Sequence, residues 1–259
     1  MLTVRDVCRT IEEYAPLSLQ ESYDNAGLQY GDPCQEVKRV LCCLDITEAV
    51  VEEARLLGCQ LVVSHHPLIF GGINRIDPSC DYVSRTLVKA IRCNISLYSA
   101  HTNLDKARGG VNHRLAGVLG LEQVEPMSEC GVVGNLPKPM TPSELIEMIC
   151  QKLEIEGLNS NVDFLTSHTD AVAMQLKRLA LCGGSGAEFV NEAKKLGADA
   201  FLTGEIRYHS YFGQEEILLL EAGHYETEQF TVGLLCDIVG ETGAEAIATS
   251  VNTNPRIRF

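Results

Sequence analysis

The sequence lacks any apolar run long enough to cross a bilayer; its longest, such as Leu61-Val62-Val63 and Ile217-Leu218-Leu219-Leu220, are strand-sized. It also lacks a basic surplus. Against 21 lysines and arginines stand 35 aspartates and glutamates, a formal net charge of −14. Phosphates would be repelled at long range, which argues against a nucleic-acid or anionic-membrane partner. No Cys-x-x-Cys occurs among the 11 cysteines, whose number is odd and whose spacing is irregular. Disulfides and thiolate-bound zinc are therefore not expected; small buried thiols in a cytoplasmic protein are. Met1-Leu2-Thr3-Val4-Arg5-Asp6 has no basic segment followed by an apolar stretch, so it does not read as a secretory signal. Low-complexity segments and obvious linkers are absent too. What remains, 45% hydrophobic and 22% charged over 259 residues, is ordinary globular composition with room for a sizeable core.

The strongest organisational signal is an internal repeat. Residues 39–64 lie without gaps over residues 178–203, matching Arg39 with Arg178, Cys43 with Cys182, Glu53 with Glu192, Ala54 with Ala193, Leu57 with Leu196 and Gly58 with Gly197. Each copy reads as buried strand, capped amphipathic helix, glycine stop and second buried strand, a βαβ unit that calls for a right-handed parallel crossover. The units continue alike, with a helical stretch near residues 82–92 before strand 95–99, and residues 206–212 before strand 217–221. Thr3 and Asp6 predict the cap of a first helix ending before Pro16, and residues 130–136 predict a strand leading to a helix over 143–153. The expected fold is α/β: two similar βαβ-containing halves, about 1–125 and 126–259, with mainly parallel sheets flanked by helices, forming one continuous structure with no inserted domain and the metal site between the halves.

The histidines cluster at informative places. Ser64-His65-His66-Pro67 closes a buried strand, where Pro67 ends the ladder and both rings can turn toward one cavity. Strand 95–99 runs into His101-x-x-x-Asp105, and strand 217–221 into His224-x-x-x-Glu228. If these segments are helical, the i, i+4 spacing places each pair on one face. One such motif is weak; two at equivalent points of a repeat, beside a His-His pair, are not. His65, His101, Asp105, Glu205 and His224 all fall at or just past the carboxyl ends of parallel strands, where open α/β sheets hold ligands. Imidazole and carboxylate donors suit Zn, Fe, Mn, Co or Ni, and a carboxylate shared by two ions is the usual two-metal hydrolytic arrangement.

Five segments together resemble the YbgI-like or Nif-three-like proteins, often labelled type-two GTP cyclohydrolase I homologues: Tyr23–Gly31, Ser64–Phe70, Ala100–Asp105, Thr203–His209 and Gly223–Glu228. The resemblance implies divalent metal ligands at His65, His66, Asp105, His224 and Glu228, two ions per chain with Glu228 bridging, and a ring-shaped homohexamer with its metal sites facing an internal cavity. Two positions depart from the family pattern: Val132 replaces an arginine, and Glu205 an aspartate.

Other residues carry softer readings. His101, outside the implied ligand set, is the expected proton carrier. Gly183-Gly184-Ser185-Gly186 reads as a tight turn with Ser185 as helix cap in preference to an anion cradle, and Asp24-Asn25 as a turn before Gly27 in preference to a reach into the cavity. Tyr208-His209 is an even choice between substrate contact and helix closure. His113 and His168 read as solvated. The leading expectation is a metal-dependent hydrolase, cyclohydrolase-like or phosphoesterase-like, on a small nucleotide-like substrate; the alternative is a metal-handling or regulatory protein without turnover.

Overall fold

The computed structural model describes residues 1–128, 130–162 and 174–256, so His168 lies outside the described residues. The chain forms two compact units, one of residues 1–107 with 231–259, the other of residues 108–230.

In the first unit, Thr3 caps α1 (Val4–Tyr14) through a reciprocal capping box with Asp6. The sheet comprises β1 (Gly27–Tyr30), β2 (Arg39–Cys43), β3 (Leu61–Ser64), β4 (Ser96–Ser99) and β11 (Glu245–Ala248), in the order β1-β4-β3-β2-β11. All its pairings are parallel except that of β1 with β4. Thr47 caps α2 (Glu48–Leu56) and Asp81 caps α3 (Tyr82–Cys93), each accepting from the backbone N–H three residues on. Successive strand residues face opposite sides. Leu41, Val62 and Leu97 therefore meet Val50, Val51 and Ala54 of α2 and Leu87 and Ala90 of α3. Behind the sheet lies α9 (Thr231–Gly240), which packs on α1 and β2. The last helix and strand among the described residues thus belong to the first unit.

The second unit repeats the plan. Its sheet runs β5-β6-β8-β9-β10-β7, built from β5 (Glu122–Pro126), β6 (Val132–Met140), β7 (Asn159–Ser160), β8 (Leu176–Cys182), β9 (Ala200–Thr203) and β10 (Leu218–Glu221). Parallel pairing is confined to β8-β9-β10, the strands of the sequence repeat; β5, β6 and β7 pair antiparallel. One face buries Leu179, Leu181, Leu202 and Leu220 against α5 (Val111–Leu119) and α6 (Pro142–Leu153). The other buries Ala180, Phe201 and Leu219 against α7 (Val190–Lys195). Strand β6 continues through Pro137 and Pro139 to Met140, farther than the sequence suggests. Residues 206–212 hold only a short 3-10 turn over Tyr208–Tyr211 rather than a full helix. Ser185 does not cap the following helix: the cap position of the 3-10 turn before α7 is Gly186, with no side-chain bond. Among the described residues, no helix is long and apolar enough to cross a membrane.

Candidate metal centre

The first unit assembles three imidazoles just beyond the carboxyl ends of β3 and β4. Ser64 and Ser99 are register partners, and both hydroxyls donate to the His66 carbonyl, at 2.7 and 3.3 Å. These bonds bend the chain as it leaves β3, so His65 and His66 do not diverge as consecutive strand residues would. Their ring centroids stand 4.8 Å apart, and His101 lies 5.3 Å from His65 and 5.5 Å from His66. One ring nitrogen from each of the three falls within 4.8 Å of the others.

Each ring is fixed by an oxygen on Nδ1. His65, fully buried, meets the Ala100 carbonyl at 2.9 Å. A carbonyl can only accept, so Nδ1 carries the proton and Nε2 presents its lone pair. His66 donates from Nδ1 to Asp45 at 2.8 Å, and Asp45 accepts from the Thr253 hydroxyl at 2.7 Å. His101 donates from Nδ1 to Asp24 at 2.7 Å. Burial is the largest single influence and opposes ionisation of Asp45, but the bonds from His66 and Thr253 and the neighbouring imidazoles together outweigh it and hold the carboxyl below its usual value. Residues 102–106 form α4 (Thr102–Lys106), which carries Asp105 back over the rings; its Oδ1 stands 3.6 Å from His65 Nε2. A lone-pair nitrogen and a carboxylate oxygen facing one another are donor atoms that a cation could use. Imidazoles oriented through Nδ1 by carbonyl or carboxylate oxygens are how proteins hold metal-binding rings, so the donors of this unit fit a divalent ion.

The second unit contributes α8 (His224–Glu228), a five-residue helix following β10. The i, i+4 spacing brings His224 Nε2 within 3.1 Å of the buried Glu228 carboxylate, while Glu205, just past β9, reaches His224 Nδ1 at 3.7 Å. Gly184 makes room for the pair: at φ +61°, any Cβ there would collide with Glu228 Oε1 and stand 3.2 Å from His224 Nε2. The glycine turn after β8 is thus shaped around this carboxylate. Its Gly183 N–H donates to Asn112 Oδ1 at 2.8 Å, and its Gly184 N–H to the Thr227 hydroxyl at 3.0 Å.

The His224-x-x-x-Glu228 segment is helical and its spacing brings the pair together; in the other segment His101 is the non-helical cap of α4, and only Asp105 lies within the helix. Asp24 and Asp45 are the residues sequence reasoning underrated. Asp24 does not merely make a turn; it holds His101. Asp45 lies two residues beyond β2, with no motif to mark it. Tyr208, His209 and Phe212 form an exposed aromatic cluster, with ring centroids of 5.1 Å between Tyr208 and His209. His113 is half-buried rather than solvated, and burial pulls its pKa down.

The comparisons agree with this architecture. A Clostridium perfringens protein named GTP cyclohydrolase 1 type 2 homolog is 34% identical over 237 residues, covering 88% of this chain and 87% of that protein. NIF3-like protein 1 of Drosophila melanogaster is 31% identical over 245 residues, 91% and 81% of the two chains. A solved Bacillus cereus protein related to NIF3 matches in fold with a TM-score of 0.89 at 22% identity, over 100% of this chain and 99% of that one. A family model described as Duf34/NIF3 (NGG1p interacting factor 3) spans residues 2–255, and the chain belongs to that family.

Proposed function

We propose that the chain binds two divalent metal ions through His65, His66, Asp105, His224 and Glu228, with Glu228 shared, and hydrolyses a small nucleotide-like substrate. One observation carries the reading: the His65 and His66 rings, each anchored through Nδ1, stand 4.8 Å apart at the end of β3, with Asp105 Oδ1 3.6 Å from His65 Nε2. The donors are nitrogen and oxygen without thiolate, which suits Zn, Fe, Mn, Co or Ni. Bound ions of this kind polarise an electrophilic centre and activate water near neutral pH. The protein's own part is orientation and proton movement. Ala100 and Asp45 keep the His65 and His66 rings in place. Asp24 holds the His101 proton on Nδ1, leaving Nε2 to exchange a proton with a bound substrate. By the family resemblance, the protein works as a cytoplasmic homohexamer.

The test loads the protein with zinc or manganese and screens nucleotides, cyclic nucleotides and phosphoesters, with His66→Ala as control. Turnover that the variant loses supports the hydrolase. Full metal occupancy without turnover of any of them leaves a metal-handling protein and overturns the hydrolase.

A further inference from the structure

A second feature of the first unit lies beside the histidines and takes no part in holding them. Directly after His66, residues 67–75 and 81–84 enclose a pocket of about 360 Å³, a size in the range of small-molecule sites. Its walls include Phe70, Ile73 and Tyr82, 51%, 37% and 57% exposed. Large apolar side chains left in water at one place mark a surface that something covers.

Phe70 connects this pocket to the imidazoles. Its ring lines the pocket and meets His101 at a centroid distance of 5.9 Å, edge to face. The loop that carries it is pinned from both sides of Ile69: the Asn25 side chain donates to the Ile69 carbonyl at 2.6 Å, and the Ile69 N–H donates to Gln29 at 3.1 Å. Since Asp24 holds His101, the adjacent residues Asp24 and Asn25 fix the ring of Phe70 relative to the His101 imidazole. Tyr23, 63% exposed, adds a second ring 6.3 Å from Phe70.

The pocket also holds a cation that no described residue neutralises. Arg75 lines the wall, and no hydrogen bond or ion pair joins it to another described residue. Nearby acids are committed elsewhere: Asp81 to Ser84 as the cap of α3, and Asp77 to Ser79 and Cys80. In a chain of net charge −14, an uncommitted guanidinium among aromatic side chains suits an oxyanion joined to a flat apolar body.

We propose that this pocket binds a purine mononucleotide, its ring system against Phe70 and its phosphate on Arg75. The proposal rests on the hydrolase reading for its substrate class, but its readout is binding, so the two can fail separately. Zinc-loaded protein is titrated calorimetrically with GMP, guanosine and ribose 5-phosphate, and zinc content is measured in every variant. Arg75→Ala should weaken GMP roughly tenfold, as for loss of a charge-assisted hydrogen bond, and leave guanosine unchanged. Phe70→Leu should weaken GMP and guanosine roughly tenfold, as for loss of stacking, and leave ribose 5-phosphate unchanged. Arg75→Lys should recover part of the phosphate effect. GMP affinity that is undetectable in the wild type, or equal in all variants at equal zinc content, overturns the proposal. So does hydrogen-exchange protection of residues 67–84 that rises with protein concentration alone, which would make the face a contact between copies. Failure of GMP to turn over counts against the hydrolase and leaves the pocket standing.

Discussion

Asp24 accepts a hydrogen bond from His101 Nδ1 at 2.7 Å across a separation of 77 residues. The same carboxylate accepts from the backbone N–H of Asn25 at 2.7 Å and of Thr102 at 3.1 Å, and from the Thr102 hydroxyl. Burial opposes its charge, but the bonds from His101 and Thr102 outweigh that and hold the carboxyl well below the usual range. Asp24 is thus ionised at neutral pH, and the His101 ring is locked with Nε2 outward.

Replacing Asp24 by Asn keeps the shape and removes the charge that orients the ring. Losing the orientation of a positioned proton carrier costs roughly 10²-fold, the lower end of what such a group contributes. Asp24→Asn should reduce turnover by about that factor while far-ultraviolet circular dichroism stays native. Unchanged turnover would separate Asp24 from the chemistry.

Much of this was legible in the residues. The gap-free repeat of 39–64 on 178–203 marks the parallel strands β2-β3 and β8-β9, because a βαβ unit writes its buried strands, cap and glycine stop locally. The approach of His224 to Glu228 was legible through i, i+4 spacing. Asp45 was not: its partners are His66 and Thr253, the latter 208 residues away, and a contact made by tertiary packing leaves no spacing to read. The antiparallel flank of β5 and β6 escaped for the same reason, since sheet order is set by which apolar faces find each other.

Gly184 offers a test of the second unit. Alanine there must adopt φ +61° and push its Cβ against Glu228 Oε1. The left-handed backbone alone costs about 1–2 kcal/mol. Gly184→Ala should lower the melting temperature and, by displacing the Glu228 carboxylate, reduce metal affinity at least tenfold. Gly58→Ala is the control: it shares the positive φ, at +69°, but meets nothing within 4 Å. It should lose stability and keep its metal.

Glu52 supplies a pH signature away from the histidines. Its bonds to Arg55 and then Lys89 lower its pKa from 4.5 to about 2. A carboxyl depressed in the folded state contributes stability that is present above its unfolded pKa and lost as pH falls through the folded one. The stability difference between wild type and Glu52→Gln should therefore be constant near neutrality, shrink from about pH 4.5 downward, and vanish near pH 2. A difference that persists below that would place the effect in packing.

The last prediction separates the roles of His101 and His224. Each stands at the start of a short helix after a strand of the repeat, His101 as the cap of α4 and His224 as the first residue of α8; Asp24 holds His101 Nδ1 at 2.7 Å, while Glu205 lies 3.7 Å from His224 Nδ1. The proposed ligand set nevertheless uses His224 and spares His101, because the first unit already offers His65 and His66 where the second has Gly204 and Glu205. Coordination needs neutral imidazole, whose unperturbed pKa is about 6.5. Occupancy should hold above that value and fall below it, and the slope of log affinity against pH should report the imidazoles bound. His224→Ala should remove an ion or weaken it by 10- to 100-fold or more, and the slope should drop by about one. His101→Ala should leave occupancy and slope near wild type while turnover falls by roughly 10²- to 10⁴-fold, the usual contribution of a positioned acid or base. If the His101 variant instead loses metal and flattens the slope, the third imidazole of the 4.8 Å cluster is itself a ligand, and its role as proton carrier is wrong.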